Sequence, residues 1–288
     1  MQRILVVGDL GVEIVLGGLS GHPRPGREVF VSSARTRPGG AGGRFAAALA
    51  RLGRKTTLVA KVGTDEWGRL VRKRLRGQVE LLAGSRDPAH GTSLSVAFSD
   101  GEEASLVTSP GATAALGPRE FRGIDWRRYR HLHVASPFQL LGLPLVPLIQ
   151  KAVAAGLTVS LGAGADPRGR WDLRALFPKL HVLLAGEAEA RALGGSARKL
   201  AALGPLVVVC RKGKGPLAFT SGGEWKAPGP ASGAVFDAAF IDGWLDGHRV
   251  QEILAYAVAA SSLAAERGDE IGSTPTRPEV LRCVGRIR

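Results

Sequence analysis

The chain has 288 residues, 44% hydrophobic and 22% charged, which supports an extended buried core and excludes a disordered polymer. With 39 Lys+Arg against 25 Asp+Glu, the formal charge is +14, a field that attracts anionic partners of any kind. Its basic residues are scattered, and their one local cluster, Arg69, Arg72, Lys73, Arg74 and Arg76, reads as a solvated helix face with no nucleic-acid recognition motif beside it.

Cys210 and Cys283 are the only cysteines, so neither a disulfide framework nor a Cys-built metal site is indicated, and Cys210, closing the apolar run PLVVVC, reads as a buried thiol. The N-terminal apolar run is too short for a signal peptide and no segment reaches spanning length; a cytoplasmic protein with no membrane partner is expected.

In chain order, the apolar runs RILVVG, TTLVA, HLHVA, LTVSL, LHVLL and LVVVC recur between helical patterns. Continuous apolar strands alternating with amphipathic helices predict a parallel sheet covered on both faces, a doubly wound α/β domain. Two segments break that pattern. EVFVSSART and TSLSVAFSDGEEASLVT alternate apolar and polar residues, the second around Asp100-Gly101, and predict antiparallel strands exposed on one face. Inserted at about residues 12–37 and 91–109 of a single domain spanning 1–288, they form a cover over a cleft, and an open edge on that cover suits a homodimer. GGLSGHPRPG and KAPGPASG read as loops, and QEILAYAVAASSLAAERG as a closely packed helix ended by Gly268.

RPGGAGGRFAAALARLG, Arg37 to Gly53, sets a glycine-rich turn before an Ala-rich helix, where bare backbone can approach a ligand and offer N–H groups to it. Alone it fits a tight packing turn equally well, since no strand leads directly into it and no dinucleotide fingerprint is completed. Its neighbours, taken in order, are VVGDLGVEIVL, KVGTDEWG, SPGATAAL, VSLGAGADPRGRW, LLAGEAEARALGG, FIDGWLDG and STPTRPEV. Together they resemble the ribokinase-like, PfkB-type carbohydrate kinases over nearly the whole chain. The resemblance implies a three-layer α/β/α sandwich with a mainly parallel central sheet and a small β-sheet lid. It further implies a sugar-like acceptor under the lid, ATP and Mg2+ toward the C-terminal part, an Asp general base and a helix N-terminus as anion hole.

Carried over position by position, the family pattern marks substrate contacts at Glu13, Gly39, Gly40 and Arg44, nucleotide contacts at Glu189, Lys212 and Gly215, and a Mg2+ contact at Glu189. Several positions depart from it. Glu13 replaces an Asp and reaches one methylene further, or is simply solvated. Arg44 replaces an Asn, so that a donor-only cation favours an anionic ligand, or else pairs with a lid or core carboxylate. Gly186 replaces the amide of an Asn-x-x-Glu motif, Lys212 stands where glycine is common, and Gly162 and Gly164 stand where Asp and Asn are usual.

The largest departure lies in ASGAVFDAAFIDGWLDG, Ala231 to Gly247, which matches a family run of Asp-Thr-x-Gly-Ala-Gly-Asp-x-Phe. A gapless match puts Ala238 at the base position; a shift of one makes Asp237 the catalytic base but leaves Ala234, Val235 and Phe236 as the anion hole. Val and Phe resist positive φ and are expected to carry side chains into the phosphate's volume. On these grounds the residues favour a sugar-kinase descendant with lost or strongly reduced phosphotransferase activity and a retained ligand cleft. The alternative is an active ATP-dependent kinase with Asp237 as base, and a third reading makes Asp237 only a helix N-cap.

Overall fold

RILVV forms β1 (Arg3–Val7) in the middle of a nine-stranded sheet. The computed structural model describes residues 3–19, 21, 23–82, 86–99, 104–231, 233–268 and 272–287. After β1 the chain leaves the sheet for β2 (Gly11–Gly17) and β3 (Ser33–Gly39), then returns through α1 (Ala41–Arg51) to β4 (Thr56–Val59). Short strands β5 (Val62–Gly63), β6 (Glu80–Leu81) and β7 (Arg86–Asp87) flank α2 (Glu66–Leu75), and β8 (Ser93–Ser99) and β9 (Ala104–Ser109) follow.

From there strands and helices alternate: β10 (Tyr129–Val134), α3 (Leu145–Ala154), β11 (Thr158–Gly162), β12 (Val182–Gly186), α4 (Glu187–Gly194), α5 (Ala197–Ala201) and β13 (Leu206–Cys210). A hairpin of β14 (Leu217–Thr220) and β15 (Gly223–Lys226) precedes α6 (Gly233–Leu245), α7 (Val250–Glu266) and α8 (Arg277–Ile287). The strand order β15-β14-β13-β12-β11-β10-β1-β4-β6 is parallel except where β14 joins β13 and β15.

Successive side chains of each central strand enter opposite cores. Ile4, Val6, Leu58, Val182 and Val208 pack with residues of α1, α6 and α7, whereas Leu5, Val7, Leu132, Val159 and Val207 pack with residues of α3, α4 and α5. With both faces covered, the interior positions of these strands are buried and only some end positions and Arg130 are half-exposed, which is why the runs read as largely apolar. The result is the expected three-layer α/β/α sandwich.

The smaller sheet has the order β3-β2-β8-β9, with β2 and β8 parallel and the outer pairs antiparallel. EVFVSSART becomes a strand only from Ser33 onward, and Phe30 stands exposed in the preceding loop. The turn expected at Asp100-Gly101 lies outside the described residues. On α2, Arg69, Lys73 and Arg74 are exposed, as a solvated face requires, and Arg72 is half-buried. Cys210 and Cys283 are free and half-buried. Among the described residues, no helix is long and apolar enough to cross a membrane.

Helix α6 is apolar almost all round, and of its two acids, Asp237 and Asp242, the latter is the less exposed residue. That carboxylate binds Arg54 and Arg277 and accepts from the Tyr256 hydroxyl at 3.1 Å, while Asp246, one turn on, binds the same two guanidiniums. The cluster ties α6 to the loop after α1 and to α8. Arg54 and Asp242 are 4% and 2% exposed, so removing one partner leaves a buried charge uncompensated. Asp242→Ala should therefore lower the unfolding free energy by about 3–5 kcal/mol in urea titrations; a loss under about 1 kcal/mol would put the cluster on the scale of exposed ion pairs.

Candidate active site

The carboxyl ends of β10 to β13 open into a cleft of about 900 Å³, closed on its other side by the N-terminal turns of α1 and α6. Parallel sheets place ligands at this end, because the loops after the strands diverge there and leave a crevice. Its wall includes His133 on β10 and Ser136 after it, Gly162 at the end of β11 and Gly164 after it, Glu189 on α4, Cys210 at the end of β13 and Lys212 after it, Phe45 on α1, and Gly233, Ala234 and Asp237 on α6. Of the residues expected from sequence, it thus brings together Asp237, Glu189 and Lys212.

Helix α6 begins at Gly233, whose φ of 77° only glycine adopts readily, so Asp237 lies in its second turn and is not the N-cap. Residues 234 and 237, three apart, share the face toward the cleft. Phe236 and Phe240, four apart, share the opposite face, where both are fully buried and their rings lie 6.4 Å apart. Val235 and Ala238 are likewise core residues. The acid facing the cleft is Asp237, with Ala238 turned away, and Val235 and Phe236 do not enter the volume in front of the helix as their bulk led one to expect.

Asp237 keeps an edge on the cavity, but its carboxyl group is enclosed. Burial, with the nearby charge of Glu189 as the second cause, raises its pKa to about 7. Burial chiefly, then the charges of Asp237 and Glu189, pushes the Cys210 thiol far up as well, so it stays protonated and unreactive. Glu189 itself accepts the Gly186 N–H at 2.8 Å and closes the first turn of α4. No trio of His, Cys, Asp or Glu able to enclose a metal occurs among the described residues. Two carboxylates facing one cavity nevertheless fit Mg2+, which keeps several waters and needs only one or two protein oxygens besides substrate phosphates.

The loop after β13, where nucleotide contacts were expected, is held by Arg211, which donates to Lys214 O at 2.9 Å and to Gly215 O at 3.1 Å. Lys212 is exposed at the cleft's rim. Gly215 is not on the wall. Its φ is 72°, and a Cβ there would stand 2.2 Å from Ala227 O, so its part is to let the loop turn.

The four residues expected to contact the acceptor sit on or next to the smaller sheet and α1, and none of them is on the cleft wall. Glu13, on β2, accepts from Arg37 Nε at 2.7 Å across the β2/β3 pair and is part-buried rather than solvated. Gly39 pairs with Gly11 in the same ladder. Gly40, with φ 89°, precedes α1, and a Cβ there would meet Asp9 O at 2.7 Å. Arg44 lies half-buried on α1. What α1 gives the cleft is Ala41 and Phe45.

Sequence reasoning missed Asp9, which accepts the Gly42 N–H at 3.0 Å and fixes the start of α1. It also missed His133, whose ring stacks on Phe45 at 3.6 Å, and Ser136, held at φ 50° on the wall. The available signal for His133 was two histidines, two apart, in an otherwise apolar strand: they must share a face.

A model of the pfkB family carbohydrate kinases matches residues 1–277. The chain belongs to that family. This pfkB-family chain is 29% identical over 296 residues to the ATP-dependent ribose-1-phosphate kinase of Halopiger xanaduensis, with 97% of each covered. It resembles the ribokinase of Arabidopsis thaliana, solved with ribose and ATP, at a TM-score of 0.77 and 21% identity over 98% of both chains. A putative ribokinase II from E. coli, in complex with ATP and Mg2+, matches at 0.81 and 18% identity over 99% of this chain and all of that one.

Because the folded pKa of Asp237 lies above the usual carboxylate value near 3.9, the folded protein holds a proton there that the unfolded chain has lost. Stability from this group is complete below about pH 4 and declines as pH rises through 7. Asp237→Asn should accordingly melt higher than the parent at pH 8 and alongside it near pH 4; a gap that does not vary with pH would count against the raised pKa.

Proposed function

We propose that this pfkB-family protein is an ATP-dependent kinase that phosphorylates a hydroxyl of a pentose-type acceptor, with Asp237 as general base. The observation that carries the reading is the placement of Asp237: a carboxylate near the start of a buried helix, facing a cleft of about 900 Å³, with the bulky neighbours Val235 and Phe236 turned into the core. A base with a pKa of about 7 can take a hydroxyl proton and still be ionised in half or more of the molecules at neutral pH.

Asp237 removes the acceptor's proton as the hydroxyl oxygen attacks, and the first amides of α6, which no helix bond occupies, face the charge that develops. Mg·ATP, when bound, supplies the phosphoryl group and offsets part of its charge. Glu189 and Lys212 are the residues that would hold it. Glu13, Gly39, Gly40 and Arg44 belong to the acceptor side, and the cation of Arg44 favours an acceptor that itself carries negative charge. The named activity of the Halopiger relative and the ribose in the Arabidopsis structure support a pentose or pentose phosphate. Loss of activity was expected from Val235 and Phe236 filling the anion hole, and neither residue lines the cleft. A homodimer through the lid belongs to the same reading, with Leu106 and Val107 exposed on β9.

Three measurements test it. Saturating Mg·ATP at a hundred times its dissociation constant should add about 2.7 kcal/mol of stability, and the absence of any thermal shift at millimolar nucleotide would sink the proposal. In a coupled ADP-release assay with D-ribose and ribose 1-phosphate, Asp237→Asn should lower kcat by roughly 10²–10⁴ and leave KM for ATP near the parent value. Because only the ionised carboxylate accepts a proton, kcat/KM should climb with pH and level off above about 7. A profile flat from pH 5 to 9 would remove Asp237 from the base role.

A further inference from the structure

His131 and His133 lie two apart on β10 and share the sheet face toward α1 and α6, both essentially without solvent exposure. A chain of hydrogen bonds joins them. Thr158 Oγ1 donates to Arg130 O at 3.3 Å and lies 2.8 Å from His131 Nδ1; Ser160 Oγ lies 2.8 Å from both His131 Nε2 and His133 Nδ1. Burial holds both imidazoles neutral: His131, further depressed by the nearby His133, His181 and Arg130, lies well below the usual value, and His133 is lowered to about 3.

With both rings neutral, each carries one N–H, so the direction of one bond fixes the rest. We take the Thr158 proton as given to Arg130 O at 3.3 Å, which makes Thr158 accept from His131 Nδ1–H; the opposite polarity would put the proton on His133 Nε2. His131 Nε2 is then bare and accepts from the Ser160 hydroxyl, which leaves Ser160 to accept from His133 Nδ1–H. His133 Nε2 is thereby a lone pair. No described residue hydrogen-bonds it, and the ring is clamped by its stack on Phe45. It looks into the cleft: a Cβ added to Gly162 would stand 3.6 Å from His133 Nε2 and 4.0 Å from Asp237 Oδ2. Glycine at 162 keeps that space open between an acceptor-only nitrogen and the base.

We infer that His133 is an acceptor-binding residue, whose Nε2 receives a hydrogen bond from a hydroxyl of the bound sugar beside the one facing Asp237. The inference takes its substrate class from the kinase reading above. It deepens that reading by giving the cleft floor a polar contact, and a requirement: the acceptor must carry a hydroxyl that donates at this point, so an analogue lacking it leaves a buried lone pair unmatched. Ser160 and His131 are positioning residues, since they only set which nitrogen of His133 carries the proton.

The test reads His133 directly. In protein carrying 15N-labelled histidine, with the signal assigned by its loss in His133→Phe, His133 should show Nδ1 protonated and Nε2 bare. Its Nε2 resonance should move when D-ribose or ribose 1-phosphate is added at millimolar concentration. A resonance that neither sugar moves, or a ring protonated on Nε2, overturns the inference whatever the phosphoryl-transfer result. A resonance that moves in a protein that consumes no ATP would defeat the kinase reading and leave this one standing. Kinetics give a second arm. His133→Asn keeps a polar atom for Ser160 but loses the one in the cleft, whereas His133→Gln reaches the cleft. His133→Asn should raise KM for the sugar on the order of tenfold with KM for ATP unmoved, and His133→Gln should restore most of that loss. The reverse order, or equal losses, would assign His133 a packing role only.

Discussion

The burial of α6 on nearly all sides is the constraint from which the site follows. A helix surrounded by the sheet, α1 and α7 presents only its first turns to this cleft, and periodicity decides which residues those are. Ala234 and Asp237 fall on the open side, Phe236 and Phe240 on the packed side. The enclosure that seats the helix also strips water from the Asp237 carboxyl group and raises its pKa, so packing and proton affinity are one effect. The ionic cluster of Arg54, Asp242, Asp246 and Arg277 holds the far end of the helix, and therefore the depth at which its first turn meets the cavity.

Opposite α6, the start of α1 is fixed by close backbone approach. Asp9 caps Gly42, and Gly40 and Gly42 lie so near residues 8–10 that a Cβ on either would stand under 3 Å from their backbone. Phe45 is carried by that helix against His133, and His133 in turn is set by Ser160 on the neighbouring strand. The cleft is thus bounded by groups whose orientations are fixed by buried contacts, the condition under which polar groups recognise a ligand without reorganising.

Much of the fold was legible because its cause is local. Each of the six apolar runs became a strand of the central sheet, and the alternating TSLSVAFS and ASLVTS paired as antiparallel strands of the smaller sheet. EVFVSSART was less legible, since its alternation continues upstream of Ser33, where no partner strand pairs with it among the described residues. At the site, Asp237, Glu189 and Lys212 could be named from the chain, but not the manner of their placement. Two alignments of FDAAFIDGW differ by one residue, and choosing between them needs the point where the helix starts, which a glycine four residues upstream decides. Glu13 and Arg37 are 24 residues apart and meet only through the register of β2 and β3. Gly215 matched a family position without touching the cleft.

By itself, then, the sequence determined the class of fold and the identity of the carboxylates available to it, because hydrophobic periodicity and residue chemistry are properties of short stretches of chain. Only the tertiary structure decided which of those groups face one another, that Phe236 turns into the core behind α6, and that a histidine on a central strand ends on the wall of the cleft. Those outcomes depend on helix phase, strand register and loss of water, which arise only when distant segments pack together.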